Sequence, residues 1–185
     1  MSHKKEICRG KLTVKKYLKH MIKHHQVAID ISIHMQKISK WDRLQDLLRK
    51  IVWSQSWDIE YMKILVHQPP ENISKMGKNA PWLTVGTTTS PNVKGFTNAL
   101  CDPMFFDPIA HKKHFSHMNL TDKYYIDHMI PHHQVAVDMS KRILENSDND
   151  TIFYLANRII KSQEGEIIYL TNLKKGYKNK STLIL

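Results

Sequence analysis

The stretch Tyr125-Ile126-Asp127-His128-Met129-Ile130-Pro131-His132-His133-Gln134-Val135-Ala136-Val137-Asp138 repeats an earlier one, Tyr17-Leu18-Lys19-His20-Met21-Ile22-Lys23-His24-His25-Gln26-Val27-Ala28-Ile29-Asp30, at an offset of 108 residues. The same offset carries Leu47 to Leu155, Ile51 to Ile159, Gln55 to Gln163, Ile59 to Ile167 and Leu65 to Leu173, with no gap needed between residues 17 and 65. A unit this long exceeds the roughly 20 to 50 residues of a solenoid repeat, and two copies fall short of the about three a solenoid needs. The pattern predicts a duplicated helical hairpin whose repeated block of imidazoles and thioethers points to a metal.

Residues 12–38 and 42–66 contain neither Pro nor Gly, and their apolar positions recur at three and four, the helical period. The second hairpin is expected over 121–146 and 151–174, opened by Thr121-Asp122, turned at Glu145 to Asp150 with Asp150 as N-cap, and closed near Gly176. Residues 67–120 form a connection that holds six of the seven prolines and shows no sustained period. Connections of this length are functional, packed across a domain or mobile, and Trp82, Phe96, Phe105 and Phe106 predict that parts of this one dock. The expected architecture is one all-α domain over residues 1–185: a pseudo-twofold four-helix bundle made of repeat one (12–66), the crossover (67–120) and repeat two (121–175).

A hydrophobic content of 41% suffices for one ordinary core. No apolar run reaches the roughly 18 residues of a membrane span, and the start shows no signal peptide, so the expectation is a soluble, cytoplasmic or equivalent intracellular protein. Cys8 and Cys101 have no CxxC spacing and read as reduced thiols. The formal charge of +11 permits a nucleic-acid partner, but the lysines are scattered over every helix instead of gathered in one patch.

Polar residues interrupt each apolar seam at one level. The second helices read Ile51, Gln55, Asp58, Met62 and Ile159, Gln163, Glu166, Leu170, while the first helices place His24, His25 and His132, His133 where Leu would pack. His24 and Gln55 stand at nearly equal distances from their turn, as do His132 and Gln163, so antiparallel helices bring them level. Burying an unpaired polar group costs on the order of 1 to 3 kcal/mol, so this layer must satisfy itself, hold water or coordinate an ion.

On a helical wheel His128, His132 and Met139 fall within about 40° of one another, whereas adjacent residues diverge by about 100°. One of each adjacent pair, His25 or His133 by this reading, therefore faces elsewhere. Metal ligands are expected among His20, Met21, His24, Met35, His128, Met129, His132 and Met139, with His25, His133, Gln55, Asp58, Met62, Gln163 and Glu166 as supporting or alternative groups. Met139 and Pro131 are replaced by Ile31 and Lys23 in the first half, so the two halves are not identical sites.

The run Met129-Ile130-Pro131-His132-His133-Gln134, with Ala136 and Met139, followed by Gln163, Glu166 and Ile167, resembles the DUF305 family, and the first half resembles it less closely. The resemblance implies a ferritin-like helical fold and, for some members, copper binding or copper tolerance.

Imidazole with thioether suits Cu(I), whereas iron in a ferritin-type centre wants several inward carboxylates and zinc would leave the methionines idle, so copper is preferred to zinc or iron. The alternatives are a structural or oligomeric bundle with no metal, in which Met and His merely pack, and a basic nucleic-acid-associated protein. No catalytic constellation stands out, which makes an enzyme the weaker reading. Cys101, Met104, His111, His114, His117 and Met118 read as a solvated, His-rich loop.

Overall fold

The computed structural model describes residues 12–67, 103–116 and 118–182, and among them every regular element is a helix. Cys8, Cys101, Trp82, Phe96 and His117 lie outside the described residues, as does the side chain of Met104. The helices are α1 (Val14–Ile38), α2 (Asp42–His67), α3 (Pro103–Phe106), α4 (Pro108–Phe115), α5 (Asp122–Asn146) and α6 (Asp150–Thr182).

Local chemistry sets the boundaries. Thr13 and Thr121 cap α1 and α5, accepting from the amides of Lys16 at 3.3 Å and Tyr124 at 3.2 Å. Between α1 and α2 the side-chain amide of Gln45 donates to the carbonyls of Gln36 and Ser39, at 3.0 and 2.7 Å, which closes the turn. Two expectations shift. The cap of α6 is Asn149, whose Oδ1 accepts from Ile152 N at 3.0 Å, leaving Asp150 in the first turn, where a carboxylate complements the helix dipole. Helix α6 also runs through Gly176 to Thr182, with Tyr177 packed on Trp41 at 6.1 Å between ring centroids.

The connection is not wholly irregular. Asp107 Oδ1 accepts from Ile109 N and Ala110 N, both at 3.1 Å, and Pro108 occupies the first turn, so α4 is nucleated by its own sequence. Helices α3 and α4 pack on α1.

The pairs α1–α2 and α5–α6 are helical hairpins, and all four long helices contribute to both main apolar clusters. One cluster joins Leu18 and Met62 of the first hairpin to Ile143 and Leu155 at the turn end of the second. The other joins Met35 and Leu48, at the turn end of the first, to Tyr125 and Leu170 of the second. The turn of each hairpin thus lies beside the open end of the other.

Cross-hairpin contacts repeat under exchange of the halves. Tyr17 Oη meets Ser140 Oγ at 2.7 Å, and Tyr125 Oη meets Ser32 Oγ at 2.8 Å. All four residues are fully buried, so each hydroxyl depends on its partner. No helix among the described residues is long and apolar enough to cross a membrane.

The Tyr125–Ser32 bond should therefore hold the hairpins together energetically. Ser32→Ala is expected to cost about 1 to 3 kcal/mol by stranding the tyrosine hydroxyl, and adding Tyr125→Phe should recover part of that loss. A urea-denaturation double-mutant cycle measures the coupling, which additive losses would disprove.

Candidate metal centre

Helices α1 and α5 carry the duplicated block, and helical spacing sorts its histidines. His20 and His24 are one turn apart on a face of α1, and His128 and His132 repeat this on α5. The two faces meet at the centre, where the rings of His24 and His132 stand 3.7 Å apart. His20 lies 6.4 Å from His24 on one side, and His128 lies 5.8 Å from His132 on the other. The row gains a fifth ring from the connection, His111 of α4, 5.2 Å from His128.

Aromatic rings close the row from above. Phe105 lies 5.2 Å from His128 and 5.6 Å from His132, Phe106 lies 4.9 Å from His20, and Phe115 lies 4.0 Å from His111. His24 and His132 are fully buried, His20 and His111 nearly so, and His128 is partly buried. Each end of the row reaches a surface cavity, one of about 660 Å³ at His20 and one of about 420 Å³ at His111.

His24 Nε2 lies 2.9 Å from the carbonyl oxygen of His132. A carbonyl only accepts, so the proton sits on Nε2 and the lone pair of the neutral ring on Nδ1, a buried atom with no partner among the described residues. Both ring nitrogens of His132 are likewise buried without a hydrogen-bond partner, as are Nε2 of His20, His111 and His128. The halves differ here: among the described residues His132 makes no bond to the carbonyl of His24 to mirror the one His24 makes.

Burial holds these rings neutral. It pushes His20 and His128 down to about 4 and His111 to about 3, with Lys23 adding to the shift at His20 and other imidazoles at His128 and His111. His24 and His132 fall well below the usual range, first through burial and then through neighbouring imidazoles. Neutral imidazole is the form that binds a metal, so at pH 7 protons compete little for these nitrogens.

The neighbouring histidines face carboxylates instead. His25 Nε2 lies 3.3 Å from Asp58 Oδ2, and His133 Nε2 lies 2.8 Å from Glu166 Oε2. Each carboxylate also meets a cation of the opposite hairpin: Arg158 pairs with Asp58, and Lys50 Nζ stands 3.5 Å from Glu166 Oε1. Lys50 and Arg158 are related by the same 108-residue offset. Burial raises the Glu166 carboxyl, but the hydrogen bond and charge of His133, with Lys50 and Ser162, outweigh it and leave the group below its ordinary value.

The expected ligands are thus brought together unequally. The imidazoles of His20, His24, His128 and His132 form the row. Met21, Met62 and Met139 sit in one apolar cluster, and Met35 and Met129 in the other, all fully or almost fully buried. Gln55 and Gln163 are 2% exposed, and their amides have no hydrogen-bond partner among the described residues. Sequence reasoning misassigned His111, which is a buried helical residue and not part of a solvated loop, while His114 is exposed as expected. The signal was the Asp107-Pro108 helix start, which puts His111 one turn into α4. Among the described residues no three His, Cys, Asp or Glu side chains converge as a metal-binding group. The row offers its nitrogens ring by ring.

A duplicated all-helical chain with a buried imidazole row between its halves is the class that fold and site define. The chain belongs to the DUF305 family, a domain of unknown function whose profile matches residues 5–66 and 112–182, one match in each half. The uncharacterized protein L153 of Acanthamoeba polyphaga mimivirus is 46% identical over 48 residues, a match spanning 26% of this chain and 32% of that protein. Among solved structures, CopM in its Cu(II)-bound form is 23% identical with a TM-score of 0.61, the alignment covering 90% of this chain and 99% of that one. A DUF305 fragment from Deinococcus radiodurans, also 23% identical, has a TM-score of 0.55 and covers 88% of this chain and 95% of its own. At these identities the structural likeness is one of fold.

The depressed histidine pKa values fix how the metal-free protein responds to acid. Below about pH 6.5 the unfolded chain takes up protons that the folded chain refuses until about pH 4, so stability falls as pH drops through this window. His20, His24, His128 and His132 should each contribute a slope of up to about 1.4 kcal/mol per pH unit. Urea unfolding at pH 5 to 8 should give a flat free energy above pH 7.5 and a steep loss below 6.5; a flat curve throughout would contradict neutral burial.

Proposed function

We propose that this chain binds and sequesters a soft metal ion, most specifically Cu(I), between the imidazoles that line the interface of its two halves. The observation that carries the reading is the run of buried, neutral, unpartnered ring nitrogens on His20, His24, His128 and His132. Leaving several such groups unsatisfied costs on the order of 1 to 3 kcal/mol each, which a bound ion would offset.

Metal–imidazole bonds are about 2 Å long, so two nitrogens across one ion stand about 4 Å apart. Neighbouring rings 5.2 to 6.4 Å apart between centroids approach that requirement with side-chain rotations. Monovalent d¹⁰ ions accept two or three ligands, and a row of rings suits them better than it suits zinc, which takes four in structural sites. Met21, Met35, Met129 and Met139, buried in the two apolar clusters, are the thioethers of this proposal. His25–Asp58 and His133–Glu166 act as support: each carboxylate fixes the ring beside the ligand. We read the helical arrangement as a ferritin-like four-helix bundle without that fold's carboxylate-rich centre.

Solved structures of CopM with Cu(I), Cu(II) and silver agree with this reading, because a chain of the same fold was found with those ions.

Competition against a Cu(I) chelator under reducing conditions tests it. The wild-type chain should compete, His24→Ala with His132→Ala should weaken binding at least tenfold, and His114→Ala should change little. Cu(I) should also stabilise the fold by about 2.7 kcal/mol at a free concentration one hundred times Kd. An affinity no higher than that of a scrambled His-containing peptide would replace this function with a metal-free structural bundle.

A further inference from the structure

The cavity at the His20 end of the row has a composition that a metal cation would avoid. Lys15, Lys16, Lys19, Lys23 and Lys63 line it, with Lys63 paired to Glu60 at 2.7 Å, and no acidic residue is itself part of the lining among the described residues. The chain as a whole carries a formal charge of +11. A bare cation is repelled by such a field, and the repulsion slows its approach to His20. The other mouth, at His111, is mixed, with Asp30 and His34 beside Lys37 and Lys112.

We propose that the lysine-walled cavity binds the anionic complex in which a soft monovalent metal ion is carried, and that His20 takes the metal from it there. This rests on the metal-binding reading above and adds to it the form in which the metal arrives.

Three features support the assignment. The first turn of α1 contains Lys15 and Lys16 and no acidic residue, although the N-terminal end of a helix already bears partial positive charge. Positive charge at this end opposes the helix dipole, and a bound anion offsets that opposition. Second, His20 lines the cavity, is 4% exposed, and its Nε2 has no hydrogen-bond partner among the described residues. Third, Ile22, Val66 and Phe106 give the cavity an apolar side, and its volume of about 660 Å³ lies in the range of small-molecule sites. Its ligand is therefore a small anion with an apolar portion, such as a low-molecular-weight thiolate complex.

The exchange balances without redox chemistry. Each bond between Cu(I) and a thiolate sulfur that breaks is replaced by a bond from Cu(I) to an imidazole nitrogen, the first of them His20 Nε2, and each thiolate leaves with its electron pair and takes a proton from water. Copper remains Cu(I) throughout. The lysines hold the anion during the exchange and do not bind the metal.

The test uses two donors and one metal-free anion. Cu(I) is supplied to the full chain as its anionic glutathione complex or as the cationic acetonitrile complex, and transfer is followed by stopped flow at several salt concentrations. With Lys19→Gln, Lys23→Gln and Lys63→Gln combined, transfer from the glutathione complex should slow at least tenfold and lose its salt dependence. Transfer from the acetonitrile complex should hold or accelerate, and the equilibrium Cu(I) affinity should hold or rise as the repulsive charges are removed. The matching Lys→Arg variant, which keeps the charges, should restore the rate. In the metal-free protein, S-methylglutathione should shift the NMR resonances of Lys19 and His20 saturably, and the Gln variant should abolish this. Equal effects on both donors, or no saturable S-methylglutathione binding, would overturn the anion site. Saturable anion binding in a chain that takes Cu(I) from neither donor would overturn the metal function and leave the anion site standing.

Discussion

A layer of polar side chains through the middle of the core sets the terms on which the four long helices pack. His25 with Asp58 and Arg158, and His133 with Glu166 and Lys50, bring carboxylates and imidazoles into a fully buried level. Taking such charges out of water costs several kcal/mol per ion unless each finds a counter-charge. Here each carboxylate needs a histidine from its own hairpin and a cation from the other. Neither hairpin can bury its seam alone, and this ties the duplication to a single register of the two halves.

Once that register is fixed, the histidine row follows. The pairs at 24–25 and 132–133 diverge around their helices, so when His25 and His133 turn to the carboxylates, His24 and His132 turn to each other. The same hand-off sorts the partners: His25 and His133 face carboxylates in the structural network, while His24 and His132 leave ring nitrogens without a hydrogen-bond partner among the described residues. One half of the block holds the fold and the other half faces its neighbour. The aromatic roof from the connection then covers the row between its two ends.

Much of this was legible in the sequence. The hairpins could be read because the period of three and four persists for whole helices and recurs at one offset, so chance agreement is excluded many times over. The polar level could be read because depth from the turn depends only on the rise per residue. The wheel also separated His24 from His25 in direction, but naming their partners required the relative rotation of the helices, which no single helix encodes. His111 was hidden for a different reason. It meets His128 across a change of element, and helical periodicity carries no information beyond the element that bears it. The end of α6 was misjudged because a lone glycine reads as a stop, although a helix continues through one when the cost, about 1 kcal/mol, is met by tertiary contacts such as Tyr177 on Trp41.

The central claim is that the buried row, and not the exposed histidines, receives the metal. Long-range ¹H–¹⁵N spectra of the histidine rings during a silver(I) titration test it most directly, since silver is diamagnetic and soft. The account predicts that the first equivalent moves the ring nitrogens of His20, His24, His128 and His132, with His24 responding at Nδ1, before those of the exposed His34, His67 and His114. Earlier or equal response of the exposed rings would contradict it.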